Sequence, residues 1–284
     1  MDQVELVRDF NRYYTRRIGV LTDRYLGQRR SLGEARLLFE IGAGAEVREL
    51  RARLGLDSGY LSRLLRSLEA EGLIRVDPQP DDRRLRVAEL TDAGAQELDD
   101  LDARSREAVD ALLRPLTVVQ RERLVAAQDQ VRRLLRLAAV DIQRVDDASG
   151  IARACLRTYA DELADRFPEG YDAATLTPPG QLALLVAWDE GEAVGCVAWR
   201  RLGPKVAEVR HLWVGVRARG IGLGRRLLQE IEADAAAHGF TMIRLGTHRA
   251  LTEAIALYRS SGYREIEPYD DSPYNQVAFE KGAA

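Results

Sequence analysis

The stretch Arg219-Gly220-Ile221-Gly222-Leu223-Gly224 decides how this chain is read. An apolar strand-like run at 209–214 leads into it, and a helix-like run at 225–237 leaves it. Glycines in such a turn remove the side chains that would hold a phosphate off the backbone, and the helix start offers unpaired N–H groups at the positive end of its dipole. The combination predicts a turn that cradles a phosphorylated cofactor. A dinucleotide-binding half is the first rival, because there too a glycine-rich turn follows a strand. The order of the surrounding elements argues against it. Residues 142–145 read as a short strand, 149–166 as a helix, and 181–188 with 192–200 as an apolar hairpin turning at Asp189-Glu190-Gly191. After the strand at 207–214 and the glycine turn come a strand at 241–246, a short helix at 253–260 and closing strands at 263–267 and 275–280. That order describes one mixed sheet rather than two βαβαβ halves.

Upstream, the periodicity is helical. Val4, Leu6, Val7, Phe10, Tyr14, Ile18 and Leu21 recur at helix spacing and predict a long amphipathic helix over 3–26. Ser31 with Glu34 forms a capping-box pattern before a helix that ends at Gly42 and Gly44. Short helices at 47–54 and 58–70 flank the turn Gly55-Leu56-Asp57, the shape of a helix-turn-helix, and the second presents Ser58, Tyr60, Ser62, Arg63 and Arg66 on its polar face. A strand at 72–76, a turn over 77–82 and a returning strand at 83–90 predict a hairpin wing with Arg83, Arg84 and Arg86 near its tip. Helices at 92–110 and 117–139 follow, long enough to serve as the ends of a two-fold dimer.

The length of 284 residues suits two domains of about 140 residues each, and the boundary is placed at 140, giving 1–140 and 141–284. With 46% hydrophobic and 31% charged residues the composition is globular. No apolar run approaches a bilayer span, and the acidic start MDQVELVRDF lacks the features of a signal peptide, so a cytoplasmic protein with no membrane partner is expected. Cys155 and Cys196 read as small buried hydrophobes, and with three histidines no metal site is expected. The net charge of −3 does not by itself suggest nucleic acid. The local clustering of Arg83, Arg84 and Arg86 does, by presenting a cationic face on a nearly neutral domain.

Two resemblances sharpen this. Leu68-Glu69-Ala70-Glu71-Gly72-Leu73-Ile74, Asp82-Arg83-Arg84 and Leu90-Thr91-Asp92-Ala93-Gly94 make residues 1–140 resemble the multiple-antibiotic-resistance regulator (MarR) family of dimeric winged helix-turn-helix proteins. The resemblance implies a mainly α domain with a β wing, dimerising through its terminal helices and binding a pseudo-palindromic double-stranded DNA operator. Asp82 would orient Arg84, and Arg83 or Arg84 would enter the minor groove. It also implies an effector pocket near Tyr13, Tyr14 and Phe39, although each taken singly reads better as hydrophobic core. Ser58-Gly59 and Tyr60 depart from the small polar residues usual at the head of the recognition helix.

Residues 141–284 resemble the GCN5-related N-acetyltransferase (GNAT) superfamily. The glycine turn fits its (Arg/Gln)-x-x-Gly-x-(Gly/Ala) pattern, and Tyr258-Arg259-Ser260-Ser261-Gly262-Tyr263 falls at the next helix-to-strand step. The resemblance implies an α/β fold with a central mixed sheet and acetyl-CoA (coenzyme A) as cofactor. Arg219, Gly220, Ile221, Gly222, Leu223 and Gly224 would hold the pyrophosphate, with Arg217 adding charge, and Leu212, Trp213 and Val214 would line the pantetheine arm at a strand bulge. It makes Tyr258 the acid facing the cofactor sulfur and Glu208 the general base, with His211 and His248 as alternatives. Thr247-His248-Arg249-Ala250-Leu251-Thr252 stands where many members carry an asparagine. The acceptor would be a small-molecule amine or a protein lysine, in a pocket shaped by segments 166–182 and 267–275, where Asp270 and Asp271 could attract a cation. The expected function is a transcriptional regulator fused to an N-acetyltransferase. Two alternatives stay open: an enzyme on a dimerisation scaffold, and a regulator whose transferase-like half senses acetyl-CoA or an amine without turnover.

Overall fold

The computed structural model describes residues 2–19, 30–78 and 85–283, and their packing divides the chain into two units, Met1–Arg123 and Leu124–Ala284. In the first unit, helix α1 (Gln3–Arg17) starts at Asp2, whose side chain accepts from Val4 N–H. Its apolar residues Val4, Leu6, Val7 and Phe10 are exposed, and the remainder of the 3–26 expectation, from residue 20, lies outside the described residues. Helix α2 (Leu32–Ile41) begins with the complete Ser31/Glu34 capping box. Strand β1 (Ala45–Glu46), helix α3 (Val47–Leu54) and helix α4 (Ser58–Ala70) follow, the last two joined through Gly55 at φ +62°. Leu61, Leu64, Leu65 and Leu68 of α4 are buried at helical spacing, a stripe in which each leucine contributes about 1.5–3 kcal/mol by leaving water. The stripe turns the opposite face of α4 outward.

Strands β2 (Ile74–Pro78) and β3 (Arg86–Leu90) pair antiparallel, and β1 adds to β3, giving the order β1-β3-β2. Strand β1 was not expected from sequence, since two residues show no alternation. Helix α5 (Asp92–Leu113) begins at Thr91, which accepts from Gly94 N–H and donates its hydroxyl to Gly72 O at 2.6 Å. Gly94 lies so close to the chain before β2 that a Cβ there would stand 1.9 Å from Leu73 O. The Leu90–Gly94 motif thus works as a clamp between the wing and α5. Asp82, Arg83 and Arg84 lie outside the described residues.

Helix α6 (Val118–Ala139) holds the division between the units, upstream of the expected 140. Its last turns belong with the sheet unit: Leu137 packs on that unit's core, and Arg226 donates to Leu137 O at 2.7 Å and Val140 O at 2.8 Å.

The second unit contains β4 (Asp141–Val145), α7 (Gly150–Arg166), β5 (Ala183–Asp189), β6 (Glu192–Arg201), β7 (Val206–Val214), α8 (Leu223–Ala237), β8 (Met242–Thr247), α9 (Thr252–Ser260), β9 (Arg264–Ile266) and β10 (Val277–Gly282). The seven strands run β4-β5-β6-β7-β8-β10-β9, with β7 and β8 the parallel pair and the other neighbours antiparallel. A doubly wound dinucleotide fold needs a mostly parallel sheet, so that rival falls. The core cluster includes Leu227, Leu228 and Ile231 of α8 together with Val197, Val209, Leu245 and Phe279 from the strands.

Two irregularities place the site. Strands β7 and β8 pair only from Val206↔Met242 to Glu208↔Arg244, so the rest of β7 parts from β8. The β6·β7 register also slips between Cys196↔Trp213 and Ala198↔Arg210, where His211 adopts φ +55°. A β-bulge of this kind bends its strand and leaves backbone groups unpaired.

Candidate functional site

Two cavities meet where β7 leaves β8. One, of about 740 Å3, is walled by Trp213, Val214, Gly220, Gly222, Gly224 and Leu257; the other, of about 550 Å3, by Glu208, Arg210, His211, His248 and Tyr258. Tyr159, Leu163, Leu212, Leu251 and Ala254 line both. The sheet is therefore perforated at the bulge, with Leu212 on the shared wall.

In the larger cavity Gly220, Gly222, Leu223 and Gly224 of the glycine turn form part of the wall, while Ile221 and the bulk of Leu223 are buried in the core. Gly220 at φ +75° and Gly222 at φ +96° occupy conformations that L side chains resist, and no side chain caps the start of α8. The helix start is thus open to a phosphate. A cofactor with a diphosphate and a long thin arm fits this cavity: an uncapped helix start at one end, an edge of β7 without a strand partner along its length, and the perforation at the other.

Arg219 is placed otherwise than expected from sequence. Its Nη2 meets both Glu162 carboxylate oxygens at 2.6 and 2.5 Å, and its Nε donates to Val214 O at 2.9 Å. Glu162 also accepts from Trp213 Nε1 at 3.0 Å, and Arg166 bridges Glu162 to Glu253. Burial works against the Glu162 charge, but donation from Arg219 and Trp213 outweighs it and holds the carboxyl below its ordinary range. Arg219 braces the turn against α7 while lining the cavity wall, its guanidinium charge already paired with Glu162. The indole of Trp213 serves the same brace, and Arg217 pairs with Glu192.

Tyr258, expected from sequence as the acid facing the cofactor sulfur, lines the smaller cavity, buried against Tyr263 and Phe279. Burial pushes its phenol well above the ordinary value. Glu208 also lines this cavity and is 1% exposed, yet Arg200 Nε donates to it at 2.5 Å, Tyr269 hydroxyl at 3.0 Å and Arg210 Nη1 to both oxygens at 3.5 Å. Arg200 and Tyr269 firmly engage one lone pair on each oxygen, and Arg210 stands at the outer limit of hydrogen bonding. The carboxylate at which the sequence places the general base is thus already held by an arginine and a tyrosine.

The histidines are restrained as well. His211 is neutral: burial, then the charges of Arg210 and Arg200, pull its ring down to about 3, and Nε2 lies 3.3 Å from Thr177 Oγ1. His248 Nδ1 accepts from Ala250 N–H at 3.0 Å, which leaves Nε2 to donate to Glu169 at 2.9 Å. Segments 166–182 and 267–275 do wall this cavity, through Phe167, Tyr171, Thr177, Asp270, Asp271 and Tyr274. Asp147, buried, anchors the first of them by accepting from the N–H groups of Gly180, Gln181 and Leu182. Arg200, Arg210 and Asp147 were missed from sequence. The i, i+2 pair Glu208 and Arg210 carried a usable signal, since alternate strand residues share one face.

Residues 149–263 match the Acetyltransferase (GNAT) family, and residues 30–85 match the MarR family. The chain carries a MarR segment followed by a GNAT acetyltransferase domain. Among curated relatives, the domain is 34% identical over 36% of this chain to an uncharacterised N-acetyltransferase of Schizosaccharomyces pombe, and 38% identical over 36% to an IAA acetyltransferase of Azospirillum brasilense. The chain spans 63% of the first and 66% of the second, less than two thirds of each. Among solved structures, a GNAT family acetyltransferase from Elizabethkingia anophelis with acetyl-CoA bound covers 51% of this chain and 98% of its own at 17% identity, TM-score 0.39. An IAA acetyltransferase from Bacillus cereus covers 50% of this chain and 99% of its own at 20% identity, TM-score 0.40.

The MarR segment places its expected reading residues on α4. Ser58, Ser62, Arg63 and Arg66 are exposed on the face opposite the leucine stripe. Tyr60 is half-buried: it packs on the core, and its hydroxyl lies where a Cβ on Gly33 would stand 2.6 Å away, while its ring lies under Arg63. Tyr13, Tyr14 and Phe39, expected as effector pocket or core, are exposed. Among the described residues no His/Cys/Asp/Glu group is arranged to hold a metal, and no helix is long and apolar enough to cross a membrane.

Proposed function

We propose that this chain is a cytoplasmic, dimeric transcriptional regulator that also transfers acetyl from acetyl-CoA to an amine. The observation carrying the enzymatic half is the perforation at the β7 bulge, where a cavity headed by an open helix start meets a separate acceptor cavity across Leu212. Bound acetyl-CoA would supply an activated thioester at that opening. The N–H groups of Gly220, Gly222, Leu223 and Gly224 would take the diphosphate, and the backbone of Leu212, Trp213 and Val214 would take the arm and polarise the thioester carbonyl. Ile221 would act by anchoring the turn in the core.

In the transfer the ammonium loses two protons, its nitrogen bonds the acetyl carbon, the C–S bond breaks, and the sulfur leaves with one of those protons. Tyr258 is assigned as the hydroxyl that donates to the departing sulfur, and one of the two amine protons returns to its phenolate, so that the net transfer is from nitrogen to sulfur. Its raised phenol stays protonated across the working pH range, which keeps the hydroxyl available as a hydrogen-bond donor to the sulfur while making it a weaker acid than an exposed tyrosine. The other proton is assigned to water in the acceptor cavity, because both Glu208 oxygens already accept from Arg200 or Tyr269 and His211 is too weak a base at about 3. Glu208 is assigned to holding Arg200 and Arg210.

For the regulator half, Ser58, Ser62, Arg63 and Arg66 are the α4 groups offered to a major groove, with Asp82, Arg83 and Arg84 retained from the sequence as the wing contact. The engagement of Glu208 by Arg200 and Tyr269 is also what favours the second reading, a sensor without turnover. Incubating purified chain with acetyl-CoA and a panel of amines, followed by free thiol, decides between them. Thiol release dependent on an amine supports the enzyme; cofactor binding with no release for any amine supports the sensor.

A further inference from the structure

We propose that the acceptor cavity takes a zwitterionic amino acid with an aromatic side chain, its carboxylate held by Arg210 and its ring held among Phe167, Tyr171 and Tyr274. This deepens the acetyltransferase reading and rests on it. The first observation is aromatic. Tyr171 stands 4.7 Å from Tyr274 and 6.0 Å from Phe167 between ring centroids, Phe167 stands 5.8 Å from Tyr274, and Tyr159 closes the group at 6.3 Å from Tyr171. The Tyr171 ring is tilted or edge-on to each of its three neighbours. A flat ligand ring can join such a set edge-to-face, the arrangement aromatic groups favour.

The second observation is charge. Arg200 and Arg210 face one buried carboxylate, Glu208, and the bonds are unequal: Arg200 makes the short one at 2.5 Å, while Arg210 reaches the same group only at 3.5 Å. Among the described residues Nε and Nη2 of Arg210 make no hydrogen bond, although its side chain is only 20% exposed. The neighbouring His211 is neutral and adds no charge of either sign. Neither nitrogen is among the buried side-chain atoms left without a partner, so both stay open to the cavity, where a carboxylate can meet a guanidinium in a bidentate pair. Asp270 does not fill that role, since its oxygens accept from Ser272 N–H and Asn275 Nδ2.

The third observation is position. Arg210 precedes Leu212, the shared wall, by two residues on one strand. An α-amino acid carries its amine and carboxylate on one carbon, so a carboxylate on Arg210 leaves the amine beside the perforation. A protein lysine side chain and a simple arylalkylamine both lack the carboxylate this arginine would meet.

The test is calorimetric. Phenylalanine, phenethylamine and alanine are titrated separately into the full chain, with and without saturating coenzyme A, so that preference is read whether or not coenzyme A binds. We expect phenylalanine to bind at least ten-fold more tightly than either competitor, and Arg210→Lys to narrow the gap between phenylalanine and phenethylamine by about ten-fold. Equal affinities for phenylalanine and phenethylamine, or a gap unmoved by Arg210→Lys in a variant with normal circular dichroism, overturn the proposal. Absence of heat from coenzyme A in the same experiment would instead overturn the acetyltransferase reading.

Discussion

His211 sits at the bulge with a strained backbone, φ +55°, and a ring that burial and two arginines keep neutral to about pH 3. Its folded value lies below the unfolded 6.5, so its contribution to stability is present above pH 6.5 and is lost as pH falls toward 3. Between pH 6.5 and 5 the excess of protons on the unfolded chain at this site grows from about one half to about one, so the slope steepens from about 0.7 to about 1.3 kcal/mol per pH unit. His211→Asn, a residue that tolerates the left-handed region, is expected to be less stable at pH 7 and to lose less of its stability between pH 6.5 and 5, as read by denaturant unfolding. Identical pH slopes would contradict the buried, neutral ring. Tyr258 gives a kinetic counterpart: Tyr258→Phe should lower kcat by about 100-fold with little change in acetyl-CoA affinity. With Glu208 held by Arg200 and Tyr269, His211 weak and the Tyr258 phenol raised, kcat/KM should climb with pH through an inflection that follows the pKa of the amine used. Two amines of different basicity sharing one inflection would point to a protein base instead.

At the scale of elements, the motifs behind the two family resemblances prove to be joints of the fold. Leu90–Gly94 was legible because Gly94 must let α5 pass Leu73, where a Cβ would lie 1.9 Å from a carbonyl oxygen. Gly94→Ala is therefore expected to destabilise the first unit by about 2 kcal/mol or more, measured by chemical denaturation; an unchanged midpoint would show that the close approach relaxes freely. The glycines at 220, 222 and 224 were legible for a similar reason, since all three line a cavity while Ile221 anchors the turn in the core. What stayed illegible depended on pairs distant in sequence. Arg219 reads as a phosphate ligand until α7 brings Glu162, 57 positions away, against it. Glu208 reads as a free base until β6 supplies Arg200 opposite it and the 267–275 segment supplies Tyr269. Strand and helix periods locate a residue on a face, but they do not say which charge the neighbouring element brings to that face.

In the whole molecule a MarR segment is joined to a GNAT acetyltransferase domain, and the function proposed for each half has its own test. Replacing Arg63 or Arg66 by Ala should weaken binding to duplex DNA and lower the salt slope, d log K/d log[salt], by about one for each phosphate left without its arginine. A slope unchanged in both variants would remove α4 as the element that meets DNA. Measured as a molar mass by sedimentation, the chain should be a dimer, consistent with the exposed apolar faces of α1 and of α6. The enzymatic half depends on one physical claim, that the open start of α8 and the unpaired edge of β7 together receive the cofactor. Titrating acetyl-CoA into the full chain in a calorimeter tests it most directly. Saturable binding of one cofactor per chain is expected, weakened at least ten-fold when Gly222 is replaced by Val; no heat of binding, or an affinity indifferent to Gly222→Val, would contradict the claim.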